Sequence, residues 1–435
     1  MADSLTAEVL AAGPVLAALP TRPQPLGAFP LPAGLLLVPA GEDTEAARTA
    51  LLAGRVPAPW PARMRGHELA LAGDRDGALA AFAEAETDAG SDVVTRYNRF
   101  VLDPDAEDRD QLRGELGELG VLVDLVSFML GRAEAPPELG SADAELAALV
   151  LSAQAAHALA GGEPAEALRL LDLAAQTARP ASTPLAGLMF GAAAAVVRET
   201  DGPGAAAERL EQALLALQGA DDLRIGRAEV HLSLAGALHE LAAQQPHQLV
   251  RAIPHYHAAL QLVTMQEAPE LWAAAHADLA AAYLTMPMTQ ASDQLRLGVA
   301  VQSLRSALKV YTPQTHPERW AGTQLNLANS LVYTPSKHQA DNLVEAVELY
   351  EAVLAVRDRD TDPVARARVL ANQGNVLAHL GLFDHAKAKL YEARYVFEEF
   401  ADDESVRAVR GVLDEIARQQ ALSRNRDQDK DGDAP

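Results

Sequence analysis

The chain contains no cysteine in 435 residues, so thiol catalysis, disulfides and thiolate metal sites are all excluded. Aromatic residues are only 4%, and β-branched runs are scarce. Lysine is nearly absent, confined to Lys309, Lys337, Lys387, Lys389 and Lys430, and the other basic side chains are arginine. A basic surplus is missing as well. The net charge is −24 and the isoelectric point about 4.8, and nucleic-acid affinity depends on cations that neutralise phosphates. The same balance argues against anionic membrane surfaces and favours a basic partner. The most apolar stretch, Leu185 to Val197, is too short and too rich in alanine to span a bilayer. Met1 to Leu10 carries Asp3 and Glu8 but no basic residue, unlike the start of a signal peptide. A cytoplasmic location is therefore expected.

Catalytic and cofactor motifs are missing too. There is no Gly-x-Ser-x-Gly. Gly202-Pro-Gly204 precedes no Gly-Lys-Ser/Thr and follows no strand, so it reads as a turn between helices. Without parallel strands a dinucleotide fold is excluded. Asp427-Gln-Asp429-Lys-Asp431-Gly432 mimics the start of a calcium loop, but no glutamate follows at the twelfth position. Six of the twelve histidines fall in one interval: His231, His239, His247, His255, His257 and His276. His231 and His239 are eight residues apart and share a helical face. With a residue from a neighbouring helix they form the one candidate metal set, although no His-Glu-x-x-His spacing occurs. The expectation is no enzyme, no cofactor and no metal, with a metal-handling protein built on these histidines as the alternative.

What is present is alanine, leucine and a repeat. Alanine costs no side-chain entropy in a helix and leucine very little. Pro269-Glu-Leu-Trp272, Leu279-Ala-Ala-Ala-Tyr283 and Pro287 recur as Pro317-Glu-Arg-Trp320, Leu327-Ala-Asn-Ser-Leu331 and Pro335, each landmark offset by 48. Asp362 to Arg366 and Gln373 to Leu377 continue the series at an offset of 46. A second pattern recurs seven times: Ala78–Phe82–Ala85, Ala167–Leu171–Ala174, Ala206–Leu210–Ala213, Ala252–Tyr256–Ala259, Ala300–Leu304–Ala307, Ala346–Tyr350–Val353 and Ala386–Leu390–Ala393. One such triplet means nothing in so alanine-rich a chain. Seven, three with matching first helices in register, mean a repeat.

The two patterns resemble the tetratricopeptide repeat. There Leu-Gly and Tyr lie on a first helix, and Ala, an aromatic or Leu, then Ala lie on a second. The small residues let the helices approach and the bulky ones fill the groove between pairs. The repeats near 227, 270 and 318 carry extra residues between their helices, at Gln244–Val250, Thr285–Leu297 and Tyr333–Asn342, which looks like a long-repeat variant. The expected fold is all-α: a right-handed superhelical solenoid of antiparallel helix pairs. The expected domains are a Pro-rich arm over 1–60, degenerate repeats over 61–215 with an acidic connector near 103–118, long repeats over 216–422, and a disordered tail over 423–435.

The resemblance also implies a function. In the family the first helices line a concave side that grips a peptide or a partner surface. Asp278, Asn326 and Asn372 directly precede the Leu-Ala landmark in successive repeats, and Asn329 and Asn375 lie two residues after it. The four asparagines form an expected ladder able to pair with any peptide backbone, since an amide both donates and accepts. Gln324 belongs to the same face. Arg319, Arg366 and Arg368 add positive charge near the helix starts, but the lysines of the family's carboxylate clamp have no counterpart. The expectation is a scaffold or assembly factor that binds a protein or peptide, with no nucleic acid and no membrane. A peptide-sensing regulator is the other alternative, although the Pro-rich amino end leaves no room for an effector domain.

Overall fold

The computed structural model describes residues 24–25, 28–29, 33–89, 92–287, 293–334 and 338–432. The leading part of the Pro-rich arm, residues 1–23, lies outside them. The chain divides into two compact units, Met1–Leu262 and Val263–Pro435.

The first unit contains two-residue strands β1 (Gln24–Pro25) and β2 (Leu37–Val38), which pair antiparallel, and α1 (Glu45–Leu52), α2 (Arg65–Leu71) and α3 (Arg75–Ala89). Next come α4 (Val93–Leu102), α5 (Arg109–Glu115), α6 (Val121–Met129), α7 (Ala144–Ala160) and α8 (Pro164–Ala178). It ends with α9 (Thr183–Thr200), α10 (Pro203–Ala216), α11 (Arg224–Leu241) and α12 (Gln248–Leu262). The second unit contains α13 (Pro269–Thr285), α14 (Asp293–Ala307), α15 (Pro317–Tyr333), α16 (Gln339–Val356), α17 (Pro363–His379), α18 (Phe383–Glu399) and α19 (Asp403–Gly432). The backbone of α19 is helical through most of the stretch that composition reads as a polar tail. The division between units falls later than the 215/216 boundary drawn from repeat length, because α11 packs on α10 as well as on α12.

The architecture is tetratricopeptide-like. Helices pair in succession as α2 with α3, α7 with α8, α9 with α10, α11 with α12, α13 with α14, α15 with α16, and α17 with α18. Each of the seven sequence triplets lies on the second helix of one pair. Six triplets are buried at all three positions. In α3, Ala78 and Phe82 are buried but Ala85 is exposed. Proline opens α8, α10, α13, α15 and α17. Its fixed φ suits a helix start, where the missing N–H would have no partner anyway.

The acidic connector is tied down by arginines. Arg96 on α4 bonds Glu107 at 3.0 Å and Glu115 at 2.5 Å, and Arg132 pairs with Asp105 at 2.8 Å. Asp124 on α6 accepts from Arg109 and Arg113 at 2.8 and 2.7 Å.

Over 33–56 the Pro-rich arm packs down on the first unit. All four side chains of Leu35–Val38 are buried. The Leu37 N–H donates to Asn98 Oδ1 at 2.7 Å, and Asn98 Nδ2 donates back to the Leu37 carbonyl at 2.9 Å. His67 Nε2 lies 2.9 Å from the same carbonyl, and Tyr97 OH donates to the Leu35 carbonyl at 2.9 Å. Farther on, Ser182 Oγ donates to the Leu52 carbonyl at 2.7 Å. The Val56 N–H donates to Asp222 Oδ2 at 2.7 Å. Gly54 lies between these anchors with φ +71°, and a Cβ there would stand 2.7 Å from Ala220 Cβ and 2.8 Å from Leu223 Cδ1. Only glycine fits that approach. The segment is thus a strap, fixed at one end to α2 and α4 and at the other to the turns that precede α9 and α11.

Candidate partner-binding face

The first helices α13, α15 and α17 touch in succession within the second unit. Their helical period places Asn326, Asn329 and Tyr333 on one side of α15, and Arg368, Asn372 and Asn375 on one side of α17. The structure joins the middle of this row. Asn372 Nδ2 donates to Asn329 Oδ1 at 3.2 Å, and Tyr350 OH on α16 donates to the same oxygen at 2.6 Å. Burial, the principal cause, pushes the Tyr350 phenol well above its ordinary value, so it remains a donor. Asn329 is therefore a structural hub that aligns Asn372.

Asn326 and Asn375 flank that bond. Both are half-buried, and their amides make no hydrogen bond among the described residues. Each keeps a donor and an acceptor for an incoming backbone. Tyr333 stands on the same side of α15, 71% exposed. Asp278 on α13 is also exposed.

The remaining expected residues are placed differently. Arg366 turns toward the end of α16, donating from Nη1 to the carbonyls of Leu354 at 2.5 Å and Arg357 at 3.0 Å. These are the acceptors a helix C-terminus leaves open, so Arg366 caps α16. Arg319 donates to Tyr311 OH at 3.2 Å and lies 5.7 Å from that ring's centroid. Gln324 is half-buried, and its Oε1 is buried without a partner. Arg368 is exposed.

Two histidines of the sequence cluster meet in the first unit. His231 and His255 approach Nδ1 to Nδ1 at 2.9 Å across α11 and α12, one ring donating and the other accepting. His239 Nδ1 lies 3.3 Å from Tyr256 OH instead of joining them. Among the described residues no group of three or more candidate ligands could hold a metal ion. Burial holds the His231 imidazole down at about 4, with the charges of His255 and Arg227 adding to it, and burial lowers His239 and His255 too. Glu211 opposes the effect at His255, and Arg251 reinforces it. His67 under the strap is likewise held down at about 4 by burial.

A histidine depressed in the fold binds fewer protons there than in the unfolded chain. Stability is then complete above the ordinary value near 6.5 and is lost as pH falls toward 4. The melting temperature is expected to drop between pH 7 and pH 5, and His231→Gln is expected to shrink that drop. Equal melting at the two pH values in the parent chain would disprove the assignment.

No family model matches this chain, and no curated protein matches it. Several solved structures do. The apo form of RapI is 13% identical, covering 83% of this chain and 98% of that one, with a TM-score of 0.43. A Rap protein complexed with competence and sporulation factor is 14% identical over 83% and 98%, at 0.41. The tetratricopeptide domain of P58(IPK) is 14% identical over 82% and 97%, at 0.27. No helix of the described residues is long and apolar enough to cross a membrane.

Proposed function

We propose that this tetratricopeptide-type repeat chain is a non-enzymatic scaffold. It holds a protein or peptide segment against the face made by α15 and α17, as an adaptor or an assembly factor for a larger complex. The observation that carries this reading is the pair of uncommitted amides, Asn326 and Asn375. They are held half-buried on either side of the fixed Asn329–Asn372 bond, beside the exposed ring of Tyr333. Rigid first helices position them in advance, which lowers the entropy lost on binding. A backbone partner satisfies both amides whatever its side chains.

The partner is identified by affinity capture from the native host followed by mass spectrometry. Replacing Asn326 and Asn375 together with alanine is expected to weaken its binding roughly fivefold to a hundredfold, from about 0.5–1.5 kcal/mol per lost hydrogen bond. Thermal stability is expected to change little. Asn329→Ala is the contrast, since it strips the Tyr350 hydroxyl of its acceptor and is expected to lower the melting temperature. Full partner affinity in the double variant would rule the proposal out.

A further inference from the structure

The second unit carries a separate cleft of about 270 Å³ between the N-terminal half of α17 and the C-terminal half of α18. Pro363, Leu370 and Val396 give it an apolar lining. Tyr395 and Phe400 stand in its wall, 64% and 53% exposed, whereas Phe397 on the same helix is buried. Two exposed rings at one cleft are notable in a chain with so few aromatics. A ring that pairs an apolar face with a polar tip, as Tyr395 does, suits an interface.

The charges around the rings narrow what that is. Asp360, Glu392 and Glu399 line the cleft, and none of them has an ion-pair partner among the described residues. Their neighbours do: Glu398 pairs with Arg410 at 3.0 Å, and Asp362 with Arg357 at 3.6 Å. Arg366 also lines the cleft, but it is aimed at the carbonyls that end α16. That leaves Arg359 as the lining cation with no such engagement.

We propose that this cleft receives an arginine or lysine side chain from a protein partner. The aliphatic stem lies on Leu370 and Val396, and the cation meets the faces of Tyr395 and Phe400 and the unpaired carboxylates. Aromatic faces attract cations through their quadrupole, and long basic side chains bury their stems while keeping the charge near polar groups. The net charge of −24 favours such a partner at long range. This site rests on neither asparagine of the α15–α17 face, so the two readings fail separately.

The test uses the full chain and a fluorescein-labelled tetra-arginine peptide, with tetra-citrulline and tetra-glutamate peptides as controls. Tyr395→Ala and Phe400→Ala are each expected to weaken tetra-arginine binding about twofold to thirtyfold, the range of cation–π contacts from exposed to desolvated. Glu392→Gln with Glu399→Gln is expected to weaken it as well. Arg359→Ala is expected to strengthen it by removing a competing cation. Tetra-citrulline is expected to bind far more weakly, and Asn326→Ala with Asn375→Ala to leave binding unchanged. Circular dichroism melts confirm that each variant is folded. Binding unaffected by Tyr395→Ala and Phe400→Ala overturns the proposal, since the acidic surface at large then holds the peptide. So does weaker binding on Arg359→Ala, or preference for tetra-glutamate, either of which marks an anion site.

Discussion

Asn98→Ala is expected to destabilise the first unit by about 2–4 kcal/mol, the cost of an unpaired buried donor plus lost packing. Asn98 and Leu37 are both buried, and the asparagine is the partner of the Leu37 N–H. Without it that donor is sealed from water and unpaired, a penalty of about 1–3 kcal/mol before lost packing is counted. The Leu37 carbonyl keeps His67 as a partner, which bounds the loss. For a unit of this size each kcal/mol corresponds to roughly 2–4 °C, so its melting transition is expected to fall by roughly 5–15 °C. Scanning calorimetry on the full chain is the measurement. A transition unmoved within about 1 °C would mean that water reaches Leu37 and that the strap is only loosely laid.

The second large effect concerns the repeats. Ala346→Leu is expected to lower the stability of the second unit by about 1–3 kcal/mol through overpacking. Ala346 is buried where α16 approaches α15, in the triplet with Tyr350 and Val353, which are also buried. Added methylenes there force the helices apart or the rings off their rotamers. The same change at Ala85, whose side is open, is expected to cost almost nothing. If the two substitutions melted alike, the triplet would not mark close approach, and the argument from repeat to fold would fail. The pair also checks that partner loss in the asparagine variants is not a folding defect.

The contrast between Ala346 and Ala85 shows how far the sequence is legible. A small residue at a helix contact is required by distance, so its spacing survives wherever a pair is tightly packed, and seven triplets locate seven second helices. Asn326 and Asn375 are legible for a related reason, since register along a first helix fixes which residues share a side. Arg366 is not. Its position predicts an open cation, but whether a long side chain reaches outward or folds onto Leu354 and Arg357 depends on where the previous helix ends. Asn98 holds a peptide backbone in the way expected of the later asparagines, yet it lies outside the clear repeats and its ligand is the chain itself. Tyr395 and Phe400, five apart at the end of α18 and outside the triplet register, were the available signal for the second cleft.

The strap has a consequence for how the molecule is made. Its hydrogen bonds join residues 61, 130 and 166 positions apart, whereas helix pairs close contacts between neighbours. A chain leaves the ribosome amino end first, at roughly 5–20 residues per second. Leu35–Val38 therefore emerges before α4, and Val56 waits for Asp222 on the order of ten seconds or longer. Until α4 has emerged, the four apolar residues of Leu35–Val38 have no completed seat. Long loops must close before such contacts repay their entropy, which slows this step relative to the local pairing of helices. The strap is thus synthesised before its seats and is among the last parts of the first unit to settle, leaving apolar surface that later helices cover.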